Sequence, residues 1–245
     1  MTDVPFEILG TPQQGGFLII GDHASNRVPG GIDLGINPAF LDAHIAWDIG
    51  VAEVARLITQ EARFAAYLGG YSRLVVDLNR DADDAAAIPT QSDAVVIPGN
   101  DLGATEKEER LERFYRPYHA YLAQLLSQHR PALILSLHSF TPALESTPQE
   151  ARPWEVGVLY NEQEAASKLA IPLLENAGYI VGDQLPYSGK LLNATMNRHA
   201  EANNIPYIGI EMRQDISSDP DGQARYARTL AEMCHFVSEQ LGLSI

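Results

Sequence analysis

Five short apolar runs constrain what this chain can fold into: FLIIG (17–21), RLVVDLN (73–79), ALILSLH (132–138), EVGVLYN (155–161) and YIGIEMR (207–213). Their aliphatic residues run on without a break, as in strands covered on both faces. Between them the apolar residues return at helical spacing, as in 39–62 (Leu41, Ile45, Ile49, Ala52, Ala55) and 108–128 (Leu111, Tyr115, Tyr118, Leu122, Leu125). Pro117 predicts a kink in the second of these. Further helices are expected over 162–177, 190–203 and 223–241. Strands alternating with helices predict a three-layer α/β fold, its central sheet mostly parallel or mixed and covered on both faces. With 245 residues, 45% of them hydrophobic, the expectation is one domain over 1–245. The segment 81–107 is acidic, rich in Ala, Gly and Pro, and long for a connection, which suits a lid.

Composition removes several kinds of function. A net charge of −15 with no basic patch argues against nucleic acid and anionic membranes and for a small-molecule partner. No apolar run is long enough to span a bilayer, and the first residues lack a signal-peptide pattern, so a cytoplasmic setting is expected. The single cysteine, Cys234, excludes a disulfide framework and reads as core. Of 17 basic residues only Lys107, Lys168 and Lys190 are lysines, a bias towards the side chain that grips carboxylates with paired hydrogen bonds. Homo-oligomerisation is left open.

The strand ends carry the chemistry, because ligands of open parallel sheets bind at the carboxyl ends of the strands. FLIIG is followed by Asp22 and His23, RLVVDL by Asn79 and Arg80, ALILSL by His138, and YIGI by Glu211 with Arg213 just beyond. Any one of these could be an ordinary buried polar group; four together point to a site. Two histidines with carboxylates nearby suit a catalytic zinc held by two His and one acid. Asp48, expected in the helix after the first histidine loop, is the preferred third ligand, against the reading that it only pairs with His44. Asn26 is the weaker candidate, equally a turn residue. His44 could steady Asp48 from behind. Glu211 is then free to act as general base, unless it merely pairs with Arg213. Tyr187 and Trp154 are candidates for either pocket wall or core. Ser25 and Ser139 adjoin the histidines, but no G-x-S-x-G elbow occurs, and both nucleotide-binding glycine motifs are missing.

The ordered segments DHASNRVP, HIAWDIG, YSRLVVDLNRDADD, FYRPYH, SLHSFTP, RPWEVGVLYN, LPYSG and IEMRQD resemble the N-formylglutamate amidohydrolase family from about Gly21 to Asp215. The resemblance implies a phosphorylase/hydrolase-like fold related to zinc carboxypeptidases and muramoyl-alanine amidases. It implies hydrolysis of N-formyl-L-glutamate to formate and L-glutamate, a step in histidine degradation. SLHSF is similar to the strand end of the amidases, whose acid ligand opens the following helix, which favours Asp48. Zinc carboxypeptidases have a glutamate where this chain has Asn26, so the choice between Asp48 and Asn26 stays open. DLNR resembles the carboxylate-binding motif of related deacylases and implicates Asn79 and Arg80, with Arg73, Arg152 or Arg213 as further partners of an anionic substrate. The alternatives are a related zinc amidase for another N-acyl amino acid or a cell-wall peptide, or a non-catalytic binding protein on the same scaffold.

Overall fold

The computed structural model describes residues 4–243, so both ends of the expected 1–245 domain lie outside the described residues. The chain begins with β1 (Phe6–Gly10) and β2 (Phe17–Gly21), then passes through a 3₁₀ turn (Pro38–Asp42) to α1 (Val51–Ile58) and β3 (Phe64–Gly69). A hairpin of β4 (Gln91–Ser92) and β5 (Val95–Val96) precedes α2 (Ala104–Arg110) and α3 (Arg116–Gln128). Then come β6 (Leu133–Phe140), β7 (Val156–Leu159), α4 (Ala165–Asn176), β8 (Val181–Asp183), α5 (Ala194–His199), β9 (Tyr207–Arg213), α6 (Gln214–Ser217) and α7 (Pro220–Gln240). Seven strands form one sheet in the order β1-β3-β2-β6-β9-β7-β8. The four central strands are parallel; β1 and β7 each pair antiparallel at the flanks, so the sheet is mixed.

Alternation along the buried strands distributes their side chains between two cores. Phe17 and Ile19 of β2 join Leu133, Leu135 and Leu137 of β6 beneath α1, α4 and α7. Leu18 and Ile20 point the other way, with Tyr67, Ile134 and Tyr207, against α3 and α5. The predicted three layers are therefore present, and the continuous apolar runs FLIIG and ALILSLH are central strands.

Other expectations are corrected. RLVVDLN forms turns rather than a strand. Its apolar side chains are buried, but its carbonyls are met by side chains instead of a ladder: Asn100 Nδ2 donates to Leu74 O, and His119 Nε2 and Thr195 Oγ1 to Leu78 O. The helix expected over 39–62 survives only as α1. Gly50 breaks it with φ +88°, and a Cβ there would lie 2.2 Å from the Ser217 carbonyl, so Asp48 sits in the turn before α1. The strand β3, which the apolar pattern does not announce, follows α1. The helix expected over 190–203 is reduced to α5 and a 3₁₀ turn, Glu201–Asn203. Instead of a kink at Pro117, a π-helical turn (Leu111–Tyr115) joins α2 to α3, its Arg116 N–H reaching back to Leu111 O. That turn aims the Tyr115 hydroxyl at Arg80 O, 2.8 Å away.

The turns after β3 are held by a buried histidine pair. His119 Nδ1 lies 2.9 Å from His199 Nε2, with the rings stacked, and His119 Nε2 lies 3.1 Å from Leu78 O. The carbonyl can only accept, so His119 donates through Nε2 and accepts through Nδ1, which keeps it neutral. Burial, followed by the neighbouring His199, pushes His119 down to about 3; burial and Arg198 push His199 down to about 4. Both lie below the unfolded value of about 6.5. Between the folded and unfolded values the unfolded chain binds more protons, so this contribution is present above about pH 6.5 and is lost as pH falls towards 4. Denaturant titrations at pH 7 and pH 5 should show wild type losing about 1–2 kcal/mol more than His199→Gln, which keeps a donor without the titration.

Candidate active site

The strand order brings His23 at the end of β2 next to His138 on β6 and Glu211 on β9, with His138 and Glu211 opposite each other in register. The turn before α1 adds Asp48, anchored by its own N–H on His23 O (2.9 Å) and by Ser139 N–H donating to Asp48 Oδ2 (3.3 Å). Asp48 Oδ2 lies 3.4 Å from His23 Nδ1 and 3.0 Å from His138 Nδ1. All three residues are buried. The fold thus brings together His23, Asp48 and His138, the preferred set, as a cluster of potential metal ligands.

The surroundings of the cluster suit a cation. Asp77 Oδ1 lies 2.8 Å from His23 Nε2, so a carboxylate orients the ring and leaves Nδ1 facing Asp48. Among the described residues His23 Nδ1 is buried and makes no hydrogen bond, with Asp48 Oδ2 facing it at 3.4 Å. Burial and Arg73 disfavour charge on His23, yet Asp77 and Asp48 outweigh them and raise it to about 9, so the cluster attracts positive charge. Against burial, His23, His138 and Arg73 hold Asp48 well below the usual carboxylate range. Ligand atoms about 2.0–2.1 Å from a tetrahedral ion lie about 3.4 Å apart, close to the separations seen here. The donor set therefore fits a divalent metal.

Glu211 is the remaining carboxylate. Its Oε2 is buried without a partner. Burial raises it to about 7; His138, Arg73 and His23 work against that rise and Asp48 adds to it. Glu211 does not pair with Arg213, whose Nε instead donates to Asp215 Oδ1 at 2.7 Å and whose Nη1 donates to Pro153 O. These groups open on a cavity of about 440 Å³ whose walls include Arg73, Asn79, Arg80, Tyr187 and Gln214.

The other expected residues separate. Arg80 lines the cavity and, among the described residues, donates only through Nη1, to Asn79 O, which leaves its other donors open to a ligand. Asn79 Oδ1 accepts from Thr195 N–H, which leaves its amide nitrogen as the group to present to a ligand. Arg73 lines the cavity too, but Nε and Nη2 donate to Asp77 Oδ2 and Nη1 to Asp48 Oδ1; its fork is taken by the protein's own carboxylates. Asn26 lies apart, its amide donating to Asp42 Oδ1 in another groove. Arg213 is likewise outside the cavity wall. His44 does not support Asp48: it lies 3.2 Å from Asp93 Oδ2. Asp93, at the hairpin tip, also accepts the N–H groups of Glu145 and Ser146, clasping two loops at the cavity. Arg152 stands behind the wall and donates to the Tyr187 hydroxyl. Ser139 Oγ donates to Ile49 O and accepts from Gln214, so it is unavailable as a nucleophile.

Asp77 has no signal of its own in the sequence, since it falls inside an apolar run that reads as a strand. Asp22 is similar. It is completely buried, accepts from the Tyr118 hydroxyl at 2.8 Å, and places Oδ2 3.8 Å from His138 Nε2.

The model of the N-formylglutamate amidohydrolase family matches residues 15–217. The chain belongs to that family. It is accordingly a hydrolase of amide bonds. Among solved structures it is similar to the gene product Atu2144 of Agrobacterium tumefaciens, with TM-score 0.91 and 26% identity over 98% of this chain and 96% of that one. The N-formylglutamate amidohydrolase of Ralstonia eutropha JMP134 superposes with TM-score 0.73 at 20% identity, covering 97% of this chain and 98% of that one. A bacteriophage poly-gamma-glutamate hydrolase shares the fold at TM-score 0.51 and 14% identity, over 100% of this chain and 93% of that one. No curated protein matches the chain. No helix among the described residues is long and apolar enough to cross a membrane.

If Asp77 orients His23 for a metal, Asp77→Asn should weaken metal binding about 10- to 100-fold while leaving the folded circular dichroism spectrum unchanged. Competition against a chromophoric chelator measures that affinity directly.

Proposed function

We propose that this protein is a zinc-dependent amidohydrolase that cleaves N-formyl-L-glutamate, or a close N-acyl amino acid, to formate and L-glutamate. The observation that carries the reading is the pairing, in one cavity, of the buried His23–Asp48–His138 cluster with a buried, unpartnered Glu211 oxygen. Family membership supports the reaction class. A zinc ion held by His23, Asp48 and His138 would supply Lewis-acid polarisation of the amide carbonyl and increase the acidity of the attacking water.

The chain's own groups do the rest. Glu211, raised to about 7, takes the proton from water as the carbon–oxygen bond forms and delivers it to the departing amine as the carbon–nitrogen bond breaks. A base with a pKa near neutrality serves both transfers, since it is neither too weak to accept nor too strong to return the proton. Asp77 holds the outer face of His23, and Asp22 lies 3.8 Å from the outer nitrogen of His138. Arg80 and the Asn79 amide receive a substrate carboxylate, with the Tyr115 hydroxyl fixing the Arg80 backbone. Arg73 neutralises Asp77 and Asp48, so we assign it to the cluster rather than to the substrate. Arg80, with donors open on the cavity wall, gives a chain of net charge −15 a local cation for an acidic substrate, because the near field outweighs the distant surface charge. The setting we propose is cytoplasmic amino-acid metabolism, in histidine degradation.

Chelation should abolish formate release and zinc should restore it; full turnover by a metal-free preparation would refute the assignment. Glu211→Gln should lower turnover about 10²- to 10⁴-fold with metal content unchanged. Loss of metal in that variant would instead make Glu211 a ligand. Arg80→Lys removes the planar two-bond grip and should lower kcat/KM about 10- to 150-fold. It should also narrow the preference for N-formylglutamate over whichever of N-formylglutamine or the α-amide loses the contacted carboxylate. Equal loss on all three substrates would make Arg80 structural.

A further inference from the structure

Tyr187 reaches the cavity from the loop that follows β8, and that loop is seated against the base. Gly157 of β7 pairs with Glu211 of β9 in the sheet. A Cβ on Gly157 would stand 2.5 Å from the Leu185 carbonyl and 3.1 Å from the Glu211 Cβ. Gly182 makes the same room, its absent Cβ falling 2.5 Å from that carbonyl. Two glycines thus let the loop backbone lie on the sheet beside Glu211. Gln184 ties the loop down from both sides: its Nε2 donates to Tyr160 O and its Oε1 accepts from Gly189 N–H. Tyr187 is therefore carried by a braced loop.

The hydroxyl of Tyr187 is directed as well. Arg152 Nη1 donates to it at 3.0 Å, with the guanidinium 5.2 Å from the centre of the ring. Arg152 is buried, and among the described residues no carboxylate pairs with it; its Nε has no partner at all. A hydroxyl that accepts from a guanidinium keeps its own hydrogen to donate, and among the described residues that hydrogen makes no hydrogen bond. Of the other donors on the wall, Arg73 is engaged with Asp77 and Asp48, Gln214 with Ser139 and Thr141 with Ala143 O, while Arg80 and the Asn79 amide are assigned above to a substrate carboxylate.

Resting on the amidohydrolase reading above, we propose that Tyr187 is a catalytic hydrogen-bond donor to the amide carbonyl oxygen, with Arg152 as its positioning residue. As water oxygen bonds to the carbonyl carbon, the carbonyl π pair moves to the oxygen and Glu211 takes the water proton. The O–H of Tyr187 shortens its bond to that oxygen while the negative charge is there. Collapse returns the pair to the carbonyl, the carbon–nitrogen bond breaks, and the nitrogen takes the proton held by Glu211. Tyr187 keeps its proton throughout. Burial, followed by the Glu211 charge, raises the phenol above its ordinary value, which suits a donor that never ionises. A donor fixed before the reaction costs no reorganisation as the charge appears.

The test begins with wild type on a panel of N-formyl and N-acetyl amino acids. Inactivity on every member refutes both the amidohydrolase reading and this inference. On a substrate that is turned over, Tyr187→Phe should lower kcat about 10²- to 10³-fold and leave KM within about threefold, with metal content and Tm as in wild type. Arg152→Gln should lower kcat in the same direction, and Arg152→Lys should retain more activity than Arg152→Gln; these two decide the matter if Tyr187→Phe does not fold. Unchanged kcat, a loss confined to KM, or a loss matched by missing metal would overturn the inference and leave the amidohydrolase reading intact.

Discussion

Burying Asp48 sets the terms for the rest of the site. A carboxylate taken out of water at this depth is tolerated only when cations and N–H groups surround it. Here His23, Arg73 and the neighbouring His138 and Ser139 N–H of β6 do so, from three separate parts of the chain. Arg73 must in turn be balanced, and Asp77 takes two of its nitrogens while orienting His23. The result is a closed ring of alternating charges in which moving one member unpairs its neighbours. The turn before α1 owes its shape to this ring at one end and, at the other, to the close approach of Gly50 to the Ser217 carbonyl.

Glu211 shows the opposite use of burial. It sits near the same cations but receives no hydrogen bond on Oε2, so desolvation dominates and its proton affinity rises. Two acids in one cavity are thereby driven apart, one permanently charged and one poised near neutrality. At Asp48 the charge of His23 and hydrogen bonds from the histidines overcome burial, whereas at Glu211 burial prevails.

The central strands were legible because a strand covered on both faces has to be continuously apolar, as FLIIG and ALILSLH are. The same rule misread RLVVDLN, whose carbonyls are satisfied by Asn100, His119 and Thr195, three side chains distant in sequence. FAAYLG was hidden by its alanines, which suit a helix equally well. β1 and β8 are edge strands with weak patterns of their own. Within the site, His23, His138 and Glu211 follow from their places at strand ends, and Asp48 from its place just after the first histidine loop. Direction was not legible. Arg213 follows Glu211 by two positions, yet the strand ends there and its guanidinium turns to Asp215 and the Pro153 carbonyl. His44 and Asn26 sit near the right residues in sequence and point to Asp93 and Asp42 instead.

The three residues of the cluster lie on separate segments, and the register that aligns them exists only once β2, β6 and the turn before α1 are in place. A partly folded chain offers scattered imidazoles and carboxylates but no pocket of this charge, so strong cation capture must come after the sheet has formed. Any cation held there then acts as a clasp across residues 23–138, and unfolding of that region would release it. Were the sheet to form before the ion binds, the unfinished chain would be spared closure around a metal in the wrong register.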